Sequence, residues 1–489
     1  MMNKTIVYLL YFTLYAIILL FFGKSGYKQT KNTRDFFVAG NRLGLIASIF
    51  TFSATWFSAA SMQGVTGTLF SYGYNTVLYA VVPWFLGAAF LVVLASKLKQ
   101  YDILTVPEYF YLRYNSKRLQ AMAGILIVFN YIFYIIIQIR GFGIVISQLL
   151  DVNYIFAIIL VYLFIIYTTF GGLFSVAKTD SLNIVLTAIG TILAAFIVLR
   201  DIGGLTLMHE GAELINTRPF SSFLKPTEQG ALLDPFAKGQ LPAFLTFTSF
   251  FGWGLGLAAN PQYAIRIISA KNTKTAVKMI CYSVFFLAFL YIGLVIIGIG
   301  GRVLQPTIQS IESVDEVFPY LINNVIYSSF SGLILMSITA AAISTANSQL
   351  LVAASGFTYD IYKNLFNPKI PEDKFLNFNR IFIFIAGTVS VLLAINPPDS
   401  LLVFGGYIWG FFSSTFLLPL YGGLFWKKAT REGAIASFIV GLITISFFMI
   451  RTIFFEGNNT MVHPAFPGVI ASTLTFYFVS KYFYNKGRG

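Results

Sequence analysis

Two adjacent hydroxyls, Ser344 and Thr345, follow a run of small residues in Ala340-Ala-Ala-Ile-Ser-Thr-Ala-Asn-Ser-Gln-Leu350. Positions three and four apart share one face of a helix, so the Ala341 carbonyl and both hydroxyls can be turned toward one spot. Three neutral oxygens converging in an apolar setting suit a small hard cation held without a formal counter-charge. The same residues also read as packing. Small-xxx-small spacing lets helices approach closely, and Ser or Thr can bond back to its own helix.

The surrounding chain decides what must position these groups. Of 489 residues, 57% are hydrophobic and 11% charged, with mean hydropathy +0.76. Runs of about 20 apolar residues recur along it, which makes it an all-α polytopic membrane protein. Thirteen spans are expected, at 5–23, 44–72, 76–98, 119–147, 153–175, 181–203, 240–268, 274–300, 328–364, 376–396, 400–425, 432–454 and 464–484. The first lacks a small-residue cleavage site and reads as a true span rather than a signal. The single cysteine, Cys281, excludes an internal disulfide, and two histidines, both expected in loops, leave little for a His-based metal site.

Of the 33 Lys and Arg, 25 fall in one set of loops and 7 in the other, with Arg140 inside a span. This bias places the amino terminus outside and the carboxyl terminus in the cytoplasm of a cell-membrane protein. It also accounts for the +14 net charge without a nucleic-acid partner, because the charges sit in short loops between spans. The oligomeric state is left open.

Two spans are poor lipid-facing helices. Span 2 is interrupted by Thr51, Ser53, Thr55, Ser58, Ser61, Gln63, Gly64, Thr66 and Gly67. Span 7 carries Phe251-Gly-Trp-Gly-Leu-Gly256 and Asn260-Pro261. Both suggest discontinuous helices, and they stand five spans apart. That spacing predicts a 5+5 inverted repeat over about 44–203 and 240–425, with extra helices at both ends, in a single transmembrane domain spanning 1–489. Residues 105–117 read as an amphipathic helix at the membrane interface. Residues 171–180 read as a cytoplasmic turn, with Asp180 available to cap the next helix. Residues 204–239 form the longest external loop, with room for a short helix.

Several segments, in order, carry a family resemblance: Phe36-Phe-Val-Ala-Gly-Asn-Arg-Leu-Gly44, Thr105-Val-Pro-Glu-Tyr-Phe110, Gly171-Gly172 with Thr179-Asp180, Gly252-Trp-Gly-Leu-Gly256, Asn260-Pro261 with Arg266, and Ile343-Ser-Thr-Ala-Asn-Ser-Gln-Leu-Leu-Val352. The chain resembles the sodium:solute symporter family, most of all its sodium/proline members, with pantothenate and monocarboxylate symporters also similar. The resemblance implies a LeuT-type fold and Na+ as coupling ion. It implies sodium held between spans 2 and 9 by the backbone carbonyls of Ala54, Phe57 and Ala341 and the hydroxyls of Ser344 and Thr345. It places Asp180 near the cytoplasmic sodium path, and the solute among Ser58, Gln63, Gln138, Arg140, Trp253 and Leu257. Three departures weaken proline as the solute. Trp56 stands where proline symporters have aspartate, Leu257 where they have tyrosine, and Asn260-Pro261-Gln262 where they have Gln-Pro-His.

Sodium-driven import of a small solute by alternating access is the reading these features favour. Arg140 suggests a carboxylate-bearing solute (an amino acid such as proline, pantothenate or a monocarboxylate), because no acid is expected in the core spans to neutralise it. Snorkelling of Arg140 toward lipid phosphates is the competing account. A symporter for a neutral sugar or other solute, a transporter-like sensor and a passive channel are the alternatives. The chain ends soon after span 13, so no fused kinase is expected. An enzyme is not expected either, since no nucleophile–base pair, metal cluster or phosphate loop is found.

Overall fold

The computed structural model describes residues 4–217, 227–308, 310–397, 400–456 and 460–486. Arg218, Lys225 and Arg488, counted above among the loop charges, lie outside them. The described residues are helical, with two isolated bridge pairs, Leu43–Ala270 and Thr217–Thr227.

The longer helices in chain order are α1 Lys4–Tyr27, α2 Leu45–Trp56, α3 Ala60–Tyr72, α4 Val77–Leu98, α5 Val106–Tyr114, α6 Lys117–Leu150, α7 Tyr154–Thr169, α8 Gly172–Ile202, α9 Leu205–Leu214, α10 Ala243–Ala259, α11 Pro261–Ser269, α12 Thr273–Leu304, α13 Ser331–Phe366, α14 Glu372–Leu393, α15 Leu401–Phe425, α16 Arg431–Phe455 and α17 Ala465–Lys486, with short helices at Thr33–Val38 and Val317–Tyr320 between them. Among the described residues nine are long and apolar enough to cross a bilayer, and α2 and α3 form a tenth span bent by 56°. Each expected span overlaps a helix or a broken pair, but 153–175 runs past the end of α7 at Thr169 and into α8.

Local chemistry sets many of the ends. Ser116, Asn153 and Asn272 accept hydrogen bonds from the first-turn amides of α6, α7 and α12 at 3.2, 2.8 and 2.8 Å. Thr105 caps α5 in the same way, and Glu108 reaches back to the Leu104 amide at 2.6 Å. Gly203, at φ +98, ends α8 in the left-handed conformation that glycine adopts without strain.

The two discontinuities stand where the polar interruptions fall. In span 7, however, the break is not in the glycine run. Gly252–Gly256 is helical throughout, and the chain leaves the helix at Asn260 (φ −76, ψ 123). Asn260 then caps α11, and Pro261 fills the first position, where no amide is needed. The glycines serve close packing instead. A Cβ on Gly256 would lie 2.7 Å from the Trp409 carbonyl, and one on Gly254 would lie 2.7 Å from that of Pro83.

α13 is central. Its apolar window is 94% buried, against 22% for α1, and it packs chiefly on α6 and α8. Its polar residues Ser344, Thr345, Asn347, Ser348 and Gln349 are therefore surrounded by protein rather than lipid.

Two sequence expectations are corrected here. α8 starts at Gly172 (φ +65), not near residue 181, so Asp180 lies in the helix interior and caps nothing. Acids do occur within or against the core: Asp180 and Asp360 sit inside helices, and Asp315 folds in from the segment before α13, all fully buried. His209 lies in α9, the short helix for which the 204–239 loop left room.

Candidate cation and solute site

α2 ends because polar residues and a change of backbone direction follow it. The Phe57 amide closes the last turn on Ser53 at 3.0 Å, and Phe57 (φ −83, ψ 98) turns extended. The final carbonyls of a helix have no amide of their own helix to pair with. Here α13 meets them. Ser344 Oγ donates to the Ala54 carbonyl at 2.9 Å and lies 2.9 Å from that of Ala341. Thr345 Oγ1 lies 3.2 Å from the Ala341 oxygen and 3.5 Å from those of Ala54 and Thr55.

Ala54, Ala341, Ser344 and Thr345 are thus brought together, and Phe57 stands at the break itself. Four neutral hard oxygens from two helices fit a small monovalent cation. The hydroxyls can turn their protons away and offer lone pairs, and no ligand must be deprotonated.

One turn further along both helices lies a second polar layer. Ser348 Oγ donates to the Ser344 carbonyl at 2.9 Å. Arg266, from α11, hydrogen bonds to Ser348 Oγ and lies 3.4 Å from Asp180 Oδ2. Thr51, one turn before Thr55 on α2, donates to the same Asp180 oxygen. Arg266 and Asp180 are both completely buried. The sequence counted Arg266 among the loop charges for the bias, although it also falls at the end of span 7 and within the family resemblance.

On the other side of the break the residues expected to meet solute gather around the start of α3. Gln138 Oε1 accepts from the Ala59 amide at 3.1 Å, and Ser58 Oγ from the Ser61 amide at 3.4 Å. Gln63 Nε2 donates to the Asp315 carbonyl at 3.3 Å. Gln63 Oε1 and Gln138 Nε2 are buried without a hydrogen-bond partner. Gln138 and Arg140 point apart, as their separation of two on one helix requires. Arg140 turns to Ser313 Oγ at 3.1 Å and Asp315 Oδ2 at 3.6 Å. It is buried, not snorkelling, and its partner comes from the segment before α13.

Trp253 sits in an aromatic cluster, with ring centroids 4.9 Å from Trp84 and 5.2 Å from Trp409. Tyr263 joins Trp56 and Trp409 at 5.8 Å each, and Leu257 is buried nearby in the same core. Trp84, Trp409 and Asp315 were not singled out from sequence. The two tryptophans offered a signal, as isolated indoles inside apolar spans. Asp315 offered none.

Residues 36–441 match the sodium:solute symporter family. The chain belongs to that family. It is 28% identical over 488 residues to a sodium/proline symporter 2 of Staphylococcus saprophyticus, covering 96% of this chain and 91% of the relative. A sodium/proline symporter of Staphylococcus aureus is equally similar, over 486 residues. Among solved structures, a Na+-coupled sialic acid symporter in a substrate-bound, outward-open state superposes with TM-score 0.79 at 19% identity, covering 98% of each chain. A nucleobase-cation-symport-1 transporter in a closed conformation gives 0.52 at 14% identity, over 91% of this chain and 95% of its own. This sodium:solute symporter family member has the LeuT-type fold, is a multi-pass membrane protein, and performs sodium-coupled solute symport rather than enzymatic chemistry.

Proposed function

We propose that sodium is held by Ala54, Phe57, Ala341, Ser344 and Thr345 and that its inward flow drives import of a small solute through the space flanked by Ser58, Gln63, Gln138, Arg140, Trp253 and Leu257. The observation that carries this is the meeting of the Ser344 and Thr345 hydroxyls with the Ala54 carbonyl at the broken end of α2. Asp180 lies one turn beyond, on the route to the cytoplasm. The orientation is amino terminus outside and carboxyl terminus inside, in the cell membrane, from the bias of basic loops. The core is two repeats, about 44–203 and 240–425, each opening with a broken helix.

The solute carries a hydrogen-bond-accepting group such as a carboxylate, in the range of proline, pantothenate or monocarboxylates. The relatives support this, as does the buried, unpartnered donor Gln138 Nε2. Arg140 does not decide it, because Asp315 already neutralises the guanidinium. That pair favours a second reading, a solute with oxygen acceptors but no net charge. The departures at Trp56, Leu257 and Asn260–Gln262 tell against proline itself. Uptake into proteoliposomes of labelled proline, pantothenate, pyruvate, acetate, sialic acid and sugars, with and without an inward sodium gradient, tests the proposal. Accumulation of one of them only with the gradient is expected. Equal equilibration with and without sodium would contradict it and indicate a passive pathway.

A further inference from the structure

We infer that Arg266 is a tethered cation on the sodium route, holding Asp180 in sodium's place until α11 moves. The inference rests on the sodium site proposed above. The pair comes from α11 and α8 and is held by Thr51 and Ser348, which lie on the two helices of that site, one turn nearer the ends that lead into the basic loops. Asp180 shares its Oδ2 with Thr51 of α2, and Ser348 of α13 binds both Arg266 and the Ser344 carbonyl. A cation leaving Ser344 in this direction meets the carboxylate and guanidinium next.

The geometry is poor for a structural ion pair. Arginine and carboxylate usually meet through two short parallel bonds of about 2.7–2.9 Å. Here one nitrogen approaches one oxygen at 3.4 Å, although both groups are fully buried. Arg266 Nε and Nη1 and Asp180 Oδ1 have no hydrogen-bond partner. A pair so incompletely satisfied gains little from permanence and costs little to separate, provided that another charge takes the vacated place.

α11 supplies the means of separation. It is a nine-residue helix entered through the Asn260 break, and it carries two contacts to the sodium region. Gln262 Nε2 donates to the Thr55 carbonyl at 2.9 Å, beside the site, and Arg266 holds Asp180 below it. α10, on the far side of the break, bears Trp253 and Leu257. Rearrangement around the solute can therefore reach α11 through one hinge. A shift of α11 releases Thr55 and uncovers Asp180 together, so that the carboxylate draws sodium inward as the guanidinium withdraws.

The test is direct binding of 22Na+ to the purified full-length protein. Arg266→Gln leaves Asp180 without its tethered charge, so sodium should bind at least about tenfold more tightly or with an additional ion. Arg266→Lys restores the charge and should return binding toward that of the parent. Asp180→Asn leaves Arg266 uncompensated beside the site and should weaken sodium binding at least about tenfold. The double variant Arg266→Gln/Asp180→Asn, neutral again, should lie between the two. Sodium affinity unchanged in Arg266→Gln and in Asp180→Asn would overturn the inference. Should Arg266→Gln fail to fold, Asp180→Asn alone decides, because a purely structural pair predicts lost thermal stability with parental sodium affinity. Ser344→Ala/Thr345→Ala separates the two claims. If that variant loses sodium while the Arg266 and Asp180 variants keep parental affinity, the site stands and the inference falls. If it binds sodium like the parent, the underlying site is wrong.

Discussion

Arg140 and Asp315 form a buried ion pair across 175 positions of sequence, with Nη2 3.6 Å from Oδ2 and Ser313 Oγ 3.1 Å from the same nitrogen. Asp315 also accepts from the Leu401 amide through both oxygens, at 3.1 and 3.2 Å. The segment before α13 is thereby fastened to α6 and to the start of α15.

Removing one member of this pair leaves the other charge buried and uncompensated, at a cost of about 3 kcal/mol. Arg140→Gln and Asp315→Asn should each lower the thermal midpoint. The double variant should be more stable than the sum of the two losses predicts, with a coupling of about 1–3 kcal/mol. Solute affinity at saturating sodium discriminates further. If solute binds Arg140 directly, Arg140→Lys loses about 1.5–3 kcal/mol of binding. A pair that only fastens the segment before α13 leaves affinity near that of the parent.

Gly141 follows Arg140 on α6 at a point where α3 passes closely. A Cβ there would lie 2.5 Å from the Ala59 Cβ and 2.5 Å from Gln63 Oε1. Gly141→Ala should therefore shift α3, at a cost of about 1–3 kcal/mol. The expected result is weaker solute binding with a smaller effect on sodium, read from uptake at varied solute and fixed sodium.

Lys99 lies just beyond α4 and donates to the Ile268 carbonyl in the last turn of α11. Burial, with a smaller contribution from Arg34 and against the pull of Asp102, pushes its ammonium down to about 8 from 10.5. In that window the unfolded chain holds a proton that the folded chain does not. Stability should therefore rise with pH between about 8 and about 10.5. Lys99→Gln should flatten this part of the profile in a thermal-shift series.

Orientation is accessible through the lone Cys281. In a Cys281→Ser background, Glu228→Cys should react with a membrane-impermeant maleimide on intact cells. Lys369→Cys should react only after permeabilisation. The reverse pattern would invert the proposed topology.

Much of this arrangement is legible in the chain, and what is missed shares a physical cause. Apolar spans and the Ala341–Ser344–Thr345 face depend on neighbours within two turns, so local periodicity reports them. The pairings Arg140–Asp315 and Arg266–Asp180 join distant segments, so neither charge's partner can be read from its neighbours, and Asp315 looks locally like any loop charge. Asp180 was misplaced because the turn at Gly171–Gly172 is tighter than its polar flank suggested, letting α8 begin eight residues before it. The glycines of α10 read as a break because glycine weakens helices in water. Among packed membrane helices the same residues allow backbones to approach.

The central claim is that Ser344 and Thr345 bind the coupling sodium. Sodium dependence of solute uptake by Ser344→Ala/Thr345→Ala in proteoliposomes tests it most directly. Two ligands are lost, so the half-saturating sodium concentration should rise more than about tenfold, at least about 1.4 kcal/mol of binding. A double variant that inserts normally and keeps the parental sodium dependence would contradict the account.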